Sequence, residues 1–535
     1  MISPRATRGK RANSRFTVGI ALAATAAIVT ACSSGPSASS GSSPAAGKVD
    51  TTGEITLGTP NPPDGLNPGT TTNVGGGFPF LEAVYGQLVQ VDPTTGNFIP
   101  DLATSWAWSS NHLSLTLQLR HGVTFQDGTA FNAAAVAYYE NYYIKQGDTG
   151  GLLSLVKSVQ ATGTYTVVFN LSGPDSTLIG NLTTAPGFVP SETALKKDPA
   201  GLATHPIGAG PYKFESEETG FQYVFQRWPG YWDNASLPRV QTLRWEVFPT
   251  DTAEVDAIKS GAINVATFLD PQDAKALASY PGLTVSEAAD VDAWFGWEDT
   301  ADPPFNNTQF RLAWEEAIDR TGLANVVTDG TGSAFTVASP GVEQYVKNLL
   351  PIWPYDPANA AKLVKESGHP NGVNVTCYAE AQDLGGNYAA IEPILIQNFK
   401  AVGINVTFQP MSSAQLGEMV AGKLGACAFS NSDAVDTSVW GILNTYKNTV
   451  WSQGVFDASH VDYGTDKYIN AFQATYTNAG LEQLYYNIEK QQKAVPGVLT
   501  PLFTAPEVNV YQSAIKGWYS NAFNNDHWYA MYRAS

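Results

Sequence analysis

Along the chain, apolar positions change repeatedly from a helical period to a strand period, with a glycine at each joint. Asp251 can cap a helix, with Glu254 three residues later; Val255 and Ile258 form its apolar side, Gly261 stops it, and 263–268 follow with period 2. Asp356 and Pro357 give a cap and a proline at the first helical position, residues 358–367 carry the helix, Gly368 ends it, and 373–378 read as a strand. A third unit begins near Tyr388, passes Ile391, Ile394, Leu395 and Phe399, and stops at Gly403. There Ile404, Val406 and Phe408 alternate with Asn405, Thr407 and Gln409. Such repetition predicts α/β lobes on open sheets, which place ligands in a crevice between domains. Leu113, Leu115, Leu117 and Leu119 alternate with polar partners, and 165–171 repeats that style, so this stretch predicts a hairpin-rich insert. Residues 310–318 predict an amphipathic helix with Glu315 and Glu316 on its solvated face, and Glu217-Glu218 beside Gly220 predicts an exposed turn.

The first 31 residues stand apart from this pattern. Five basic residues and no acid precede Arg15's successor Phe16, and 16–30 are apolar or small throughout. That apolar core of about 15 residues is shorter than the roughly 20 a membrane helix needs, so it reads as a targeting segment. It ends in Val29-Thr30-Ala31-Cys32, and 33–48 are almost entirely Ser, Gly, Pro and Ala, a composition that cannot bury enough surface to order itself. Lys10-Arg11 is not a twin-arginine pair, which favours the general secretion route.

About 485 residues remain, too many for one core, so two or three domains are expected. Without the five leading basic residues, 25 Lys and Arg face 48 Asp and Glu, a net charge of −23. Nucleic acid is disfavoured as a partner, because binding it needs a basic footprint. Cys377 and Cys427 are able to pair in an oxidising compartment, but spacing alone does not establish a bridge.

Catalytic arrangements are missing from the sequence. It contains no G-x-S-x-G elbow, H-E-x-x-H or P-loop. The six histidines have no pair at i,i+3 or i,i+4, so neither a metal site on one helix nor any cofactor is expected. A glycosidase-like carboxylate pair remains open on counting alone.

A trail of motifs then runs from Leu66-Asn67-Pro68 through 84–89, 92–96, Pro100-Asp101-Leu102-Ala103 and Ser105-Trp106 to the most specific run, 119–128. It continues through Phe131-Asn132-Ala133, the turn 205–212 (with Ala209 where threonine is usual), Tyr231-Trp232, 303–306, 310–313, 317–320 and 355–357. In that order the motifs resemble the family 5 extracellular solute-binding proteins, the oligopeptide, dipeptide and nickel binders of ATP-binding cassette (ABC) importers. Val29 to Cys32 likewise resembles the lipobox of bacterial lipoproteins, whose cysteine receives a diacylglyceryl group.

The resemblance implies a periplasmic-binding-protein-like α/β fold (type II, cluster C), a two-lobed flytrap with an extra inserted subdomain. Its implied division is a signal peptide at 1–31, a tether at 32–49, a base lobe from 50–85, 205–300 and 506–535, an inserted subdomain at 86–204, and an opposing lobe at 301–505. Crossings near 300 and 505 would form the hinge. The implied function is capture, without reaction, of a peptide or similar small polar solute for a membrane permease. The protein would be monomeric and held by its lipid at the outer face of the cytoplasmic membrane. Oligosaccharide binding, a sensor role and a secreted hydrolase are the alternatives.

Expected ligand contacts are Gly76 and Phe78, in a glycine-rich loop, and Asp292, Trp294 and Trp297, in a strand just before the hinge; Phe295 lies among them. The peptide-binding members carry an acid that pairs with a peptide's amino terminus, in a segment corresponding to 427–440. Here that position falls at Ser432, and the arginine upstream of it in oligopeptide binders falls at Ala426. Asp433 or Asp436 would supply the anchor after a shift, and Trp440 a stacking face.

Overall fold

The computed structural model describes residues 50–534, apart from 61, 64, 72–73, 93–94, 96, 147–149, 234–239, 301, 335–352, 381–387, 412–426, 433–463, 465, 497–498 and 519–527. Lys48–Ser535 forms one compact unit. The targeting segment, the lipobox with Cys32 and the tether lie outside the described residues, as do Asp433, Asp436 and Trp440.

An 11-stranded mixed sheet runs through the molecule. Its order is 404–411, 373–380, 427–432, 283–298, 499–512, 265–266, 50–59, 240–247, 222–227 and 212–218, with Ser333–Ala334 added beside 499–512. The helix and strand alternation builds it as the glycine joints predict. Helix Pro357–Glu366 starts on Asp356, whose carboxylate accepts the Asn359 N–H at 2.9 Å, and Pro357 sits where no donor is needed. Helix Tyr388–Ala401 ends before Gly403 (φ 90°), and strand Ile404–Met411 buries Ile404 and Val406 while exposing Asn405 and Thr407.

The cap of helix Asp251–Ser260 differs from expectation by one residue: Thr250 accepts from the Ala253 N–H at 3.3 Å, and Asp251 is the first helical residue. Glu254 is therefore released from any capping role and points into the core. Helix Thr308–Ala317 departs further. Glu316 accepts from Asn359 at 2.6 Å, but Glu315 is 2% exposed rather than solvated. It pairs with buried Arg320 and accepts the Thr500 hydroxyl at 2.7 Å. Period alone cannot show that a second element, strand Leu499–Gln512, covers that face.

A separate four-stranded sheet, ordered 103–108, 114–119, 166–171 and 156–163, forms the hairpin-rich insert. It packs Leu115, Leu117, Leu119, Val167 and Phe169 against helix Ala133–Gln146. Its core is distinct from the cluster around Phe80 and Trp245 and from the one around Trp314 and Phe399. Motif residues fasten it to the large sheet. Gln126 Nε2 donates to the Tyr212 and Val84 carbonyls at 2.7 and 3.1 Å. The Arg120 guanidinium lies 4.1 Å over the Trp232 ring, and its Nε donates to the Asp101 carbonyl at 3.1 Å.

Glycine is required where residues 208–210 cross residues 83–85. Ala209 and Gly210 donate to the Tyr85 and Val84 carbonyls at 3.1 and 2.8 Å. A Cβ on Gly208 would stand 2.3 Å from the Val84 oxygen, and one on Gly210 would stand 2.6 Å from the Val84 carbonyl carbon.

Cys377 and Cys427 occupy paired positions on adjacent parallel strands, with Cα atoms 4.6 Å apart, and form a disulfide. The sequence left this open because a parallel register is invisible in spacing. No helix among the described residues is long and apolar enough to cross a membrane.

Gly210→Ala should destabilise the protein by about 1–3 kcal/mol, because backbone on both sides has to move to admit the methyl group. Urea unfolding of Gly210→Ala, with Gly220→Ala as control, checks this. Gly220 has open space around its Cβ position and tests only the cost of its left-handed φ of 74°.

Candidate functional site

Strands Leu283–Glu298 and Leu499–Gln512 are the spine of the large sheet. They pair antiparallel along nearly their whole length, Leu283 opposite Gln512 and Trp297 opposite Leu499. The register breaks once in the middle, where Ala288 faces Glu507 but the next pair is Asp292 with Ala505. A second shift falls between Trp294 and Phe295.

Two groups of parallel strands attach to this spine at opposite ends. One contains 50–59, 240–247 and 265–266; Val265 and Ala266 pair with Tyr511 and Val510, so the group's carboxyl ends advance toward the register break. The other contains 373–380, 404–411 and 427–432; Cys427 pairs with Glu298 and Ser432 with Ala293, so its carboxyl ends advance toward the same break from the other side. Loops leaving the carboxyl ends of parallel strands are where open α/β sheets bind ligands. Here the carboxyl ends of both strand groups advance toward one place.

The expected contacts distribute around it unevenly. Asp292 lies at the break itself, and Ser432, one residue before Asp433, is registered against Ala293. The topology thus brings together two segments 140 residues apart in sequence, although the side chains of Asp292 and of 433–440 lie outside the described atoms. Trp297 is half-buried and meets Phe295 edge-on at 4.8 Å. Trp294 is only 4% exposed and stacks on Phe503 with ring planes 8° apart, so it packs in the core.

Gly76 and Phe78 do not lie in a loop. Residues 74–85 form a helix despite three glycines in its first turns and Pro79 inside it. Phe78, Phe80, Leu81, Val84 and Tyr85 are all buried there, and this burial overrides the weak local propensity. Phe78 meets Phe188 edge-on at 5.0 Å within the core.

Buried polar groups that the sequence does not single out support both sides. Near the 265–266 strand, Glu254 accepts the Thr267 N–H at 2.8 Å, and the Thr267 hydroxyl donates to the Gly58 carbonyl at 2.8 Å. A Cβ on Gly58 would stand 2.6 Å from the Glu254 carboxylate, which is why this strand carries a glycine. Phe268 follows with φ 57°, a backbone conformation a phenylalanine rarely adopts, and its N–H donates to Asn509 Oδ1 at 3.1 Å. Across the break, Arg320 donates from Nε to the Pro501 carbonyl at 2.6 Å and from Nη1 to the Glu315 carbonyl at 2.9 Å. Arg311 Nε donates to the Pro496 carbonyl at 2.7 Å. These arginines hold Pro496 and Pro501 where the chain enters the spine. The Ala317-Ile318-Asp319-Arg320 motif marked the region, but not that Arg320 would be buried.

Burial pushes the Glu254 carboxyl up to about 8, moderated by the Thr267 N–H. Burial also raises Glu298 and Glu315; Glu298 faces the Glu315 charge, whereas Glu315 has Arg320 as a counter-charge. Glu298 is thereby pushed well above the usual carboxylate range, and Arg320 offsets part of the rise at Glu315.

Residues 97–478 match the family described as bacterial extracellular solute-binding proteins, family 5 middle. The glutathione-binding protein GsiB of Pectobacterium atrosepticum is 29% identical over 332 residues, 60% of this chain and 62% of that protein. The chain thus spans somewhat under two thirds of that relative. Among solved structures, the dipeptide-binding protein of Pseudoalteromonas sp. SM9913 with Met-Leu superposes with a TM-score of 0.79 at 19% identity, covering 90% of this chain and all of that one. The periplasmic binding protein DppA of Helicobacter pylori, in complex with the peptide STSA, gives 0.78 at 21% identity, covering 91% and 99%.

The raised Glu254 pKa has a defined sign. The group is neutral in the folded protein over a range where it ionises on unfolding, so its contribution is complete below pH 4.5 and is lost as pH rises toward about 8. Glu254→Gln keeps an acceptor for Thr267 and cannot ionise. Relative to wild type, the variant should gain stability on the order of a few kcal/mol between those limits. Paired melting curves at pH 4.5 and pH 8 check it, and the difference from wild type isolates Glu254 from the other raised carboxyls. Equal pH slopes would refute the assignment.

Proposed function

The chain belongs to the family 5 bacterial extracellular solute-binding proteins, and from that premise we propose that it captures a peptide, or a similarly small polar solute, and delivers it to the permease of an ABC importer. The observation that carries this reading is that the carboxyl ends of two parallel strand groups advance on the register break of the spine from opposite sides. Such an arrangement encloses a solute between two lobes without needing a reactive group. The peptide class rests on the relatives, one named for glutathione and two solved with peptides.

In this reading 50–85, 205–300 and 506–535 form the base lobe, 86–204 the inserted subdomain and 301–505 the opposing lobe. The spine strands are the hinge, and the pliable step is the register break at 288–292, where the ladder is already interrupted. Closure excludes water and strengthens polar contacts to the ligand. The ligand amine is anchored by Asp433 or Asp436, with Asp292 opposite and Trp297 and Trp440 as apolar walls. Cys32 carries the lipid, the tether 33–49 gives reach, and the chain works as a monomer outside the cytoplasmic membrane.

Thermal melting of residues 48–535 against glutathione, di- to pentapeptides, oligosaccharides and nickel chelates tests the proposal. A ligand of the folded state at 100 times its Kd stabilises by roughly 2.7 kcal/mol, a shift of a few degrees. The expected result is a shift from a peptide recovered unchanged, with Asp433→Ala/Asp436→Ala abolishing it. A shift from saccharides alone would overturn the peptide assignment, and turnover of the bound compound would overturn the transport reading.

A further inference from the structure

The spine is not the only bridge across the molecule. On one side of a second junction stand the end of strand Ala103–Trp108, the turn after it and the loop 172–177, all of the inserted region. On the other stand helix Asp466–Gln473 and the turn leading to helix Asn478–Ala494. The Ser176 N–H donates to the Gln473 carbonyl at 2.8 Å, and the Ser176 hydroxyl donates to the Phe472 carbonyl at 2.9 Å. Both acceptors belong to the last turn of a helix, where the Phe472 carbonyl also accepts the Thr475 N–H at 2.9 Å. Beside them the His112 ring stacks on Tyr476 at 4.0 Å with planes 18° apart, and Trp108 meets the same tyrosine edge-on at 5.4 Å.

Each side is fixed to its own half. His112 sits in a turn closed by its N–H on the Ser109 carbonyl, at φ 54°, and buried Asp175 accepts the Thr177 N–H at 3.1 Å. Across from them, helix Asn478–Ala494 runs to Pro496, whose carbonyl is held by Arg311. Surfaces that are rigid on both sides and joined by two hydrogen bonds and a ring stack do not part gradually.

We propose that this contact is a latch: the 108–112 and 172–177 loops clasp the 472–476 turn when the two halves close, and release it when they open. It rests on the reading that the halves move about the spine. Because the latch stands apart from the register break, it favours closure without touching the solute. A solute that alone gives only part of the closing energy is then retained, and its release slows.

Small-angle scattering and hydrogen exchange on residues 48–535 test this, with no ligand added. Ser176→Cys/Gln473→Cys, whose backbones meet through the 2.8 Å hydrogen bond, should oxidise to a cross-linked form that fixes the closed dimensions. Ser176→Ala/Tyr476→Ala, checked for folding by circular dichroism, should show a larger radius of gyration than the cross-linked form. Amides of 172–178 should exchange about tenfold or more faster than in wild type. A folded Ser176→Ala/Tyr476→Ala variant with the radius of the cross-linked form, or a folded cysteine pair that fails to oxidise, would overturn the latch. Neither readout uses a solute, so failure of the ligand panel leaves this test intact.

Discussion

Everything in this molecule hangs on the antiparallel pairing of strands Leu283–Glu298 and Leu499–Gln512. A sheet built only from βα units would be one rigid body, because each added strand extends the same hydrogen-bonded ladder. Here two parallel groups attach to one antiparallel pair at opposite ends, and the pair is the only sheet connection between them among the described residues. The break between Ala288 and Asp292 then matters more than its size suggests. It is the longer of the two interruptions in the ladder from Leu283 to Trp297, so bending there costs less than bending where the pairing is regular.

The buried charges follow from that constraint. Two strands that belong to both halves need fixed ends, and apolar packing alone would let them slide. Arg320 and Arg311 grip the carbonyls of Pro501 and Pro496, and Asn509 holds the backbone of Phe268 beside the other end. A guanidinium nearly free of solvent is costly unless its donors are occupied, and Arg320 spends them on two carbonyls and the Glu315 carboxylate. Such a group specifies one geometry more sharply than a leucine of equal volume would. That suits the ends of the strands that the proposed hinge would bend.

How much of this the sequence discloses depends on whether a feature is local. Asp356-Pro357, Gly261 and Gly403 act on the residues beside them, and each marks the end or start of an element where expected. Within the 119–128 motif, Gln126 and Arg120 act as scaffold. The misreadings share a cause. Helical period puts Glu315 in solvent because it reports which residues share a face, not what lies against that face. Gly75, Gly76 and Gly77 suggested a loop because their intrinsic preference was weighed without the burial of Phe80, Val84 and Tyr85 after them. Cys377 and Cys427 are neighbours through a parallel register that only the folded sheet defines.

The same distinction explains why the site is harder to read than the fold. The carboxyl ends of the strands converge on the break, and that is topology, set by elements whose signals are local and redundant. On the proposed reading, specificity belongs to the segments beyond those ends, where no period constrains the sequence. The departure at Ser432 is informative for this reason. Position 432 is the last of its strand and is registered against Ala293, so its place is fixed by pairing. On the proposed reading, an anchor at Asp433 stands one residue beyond 432, a step of about 3.3 Å for an extended residue. A solute whose amine sits that much further from the spine would suit this chain better than one matched to an acid at 432 itself.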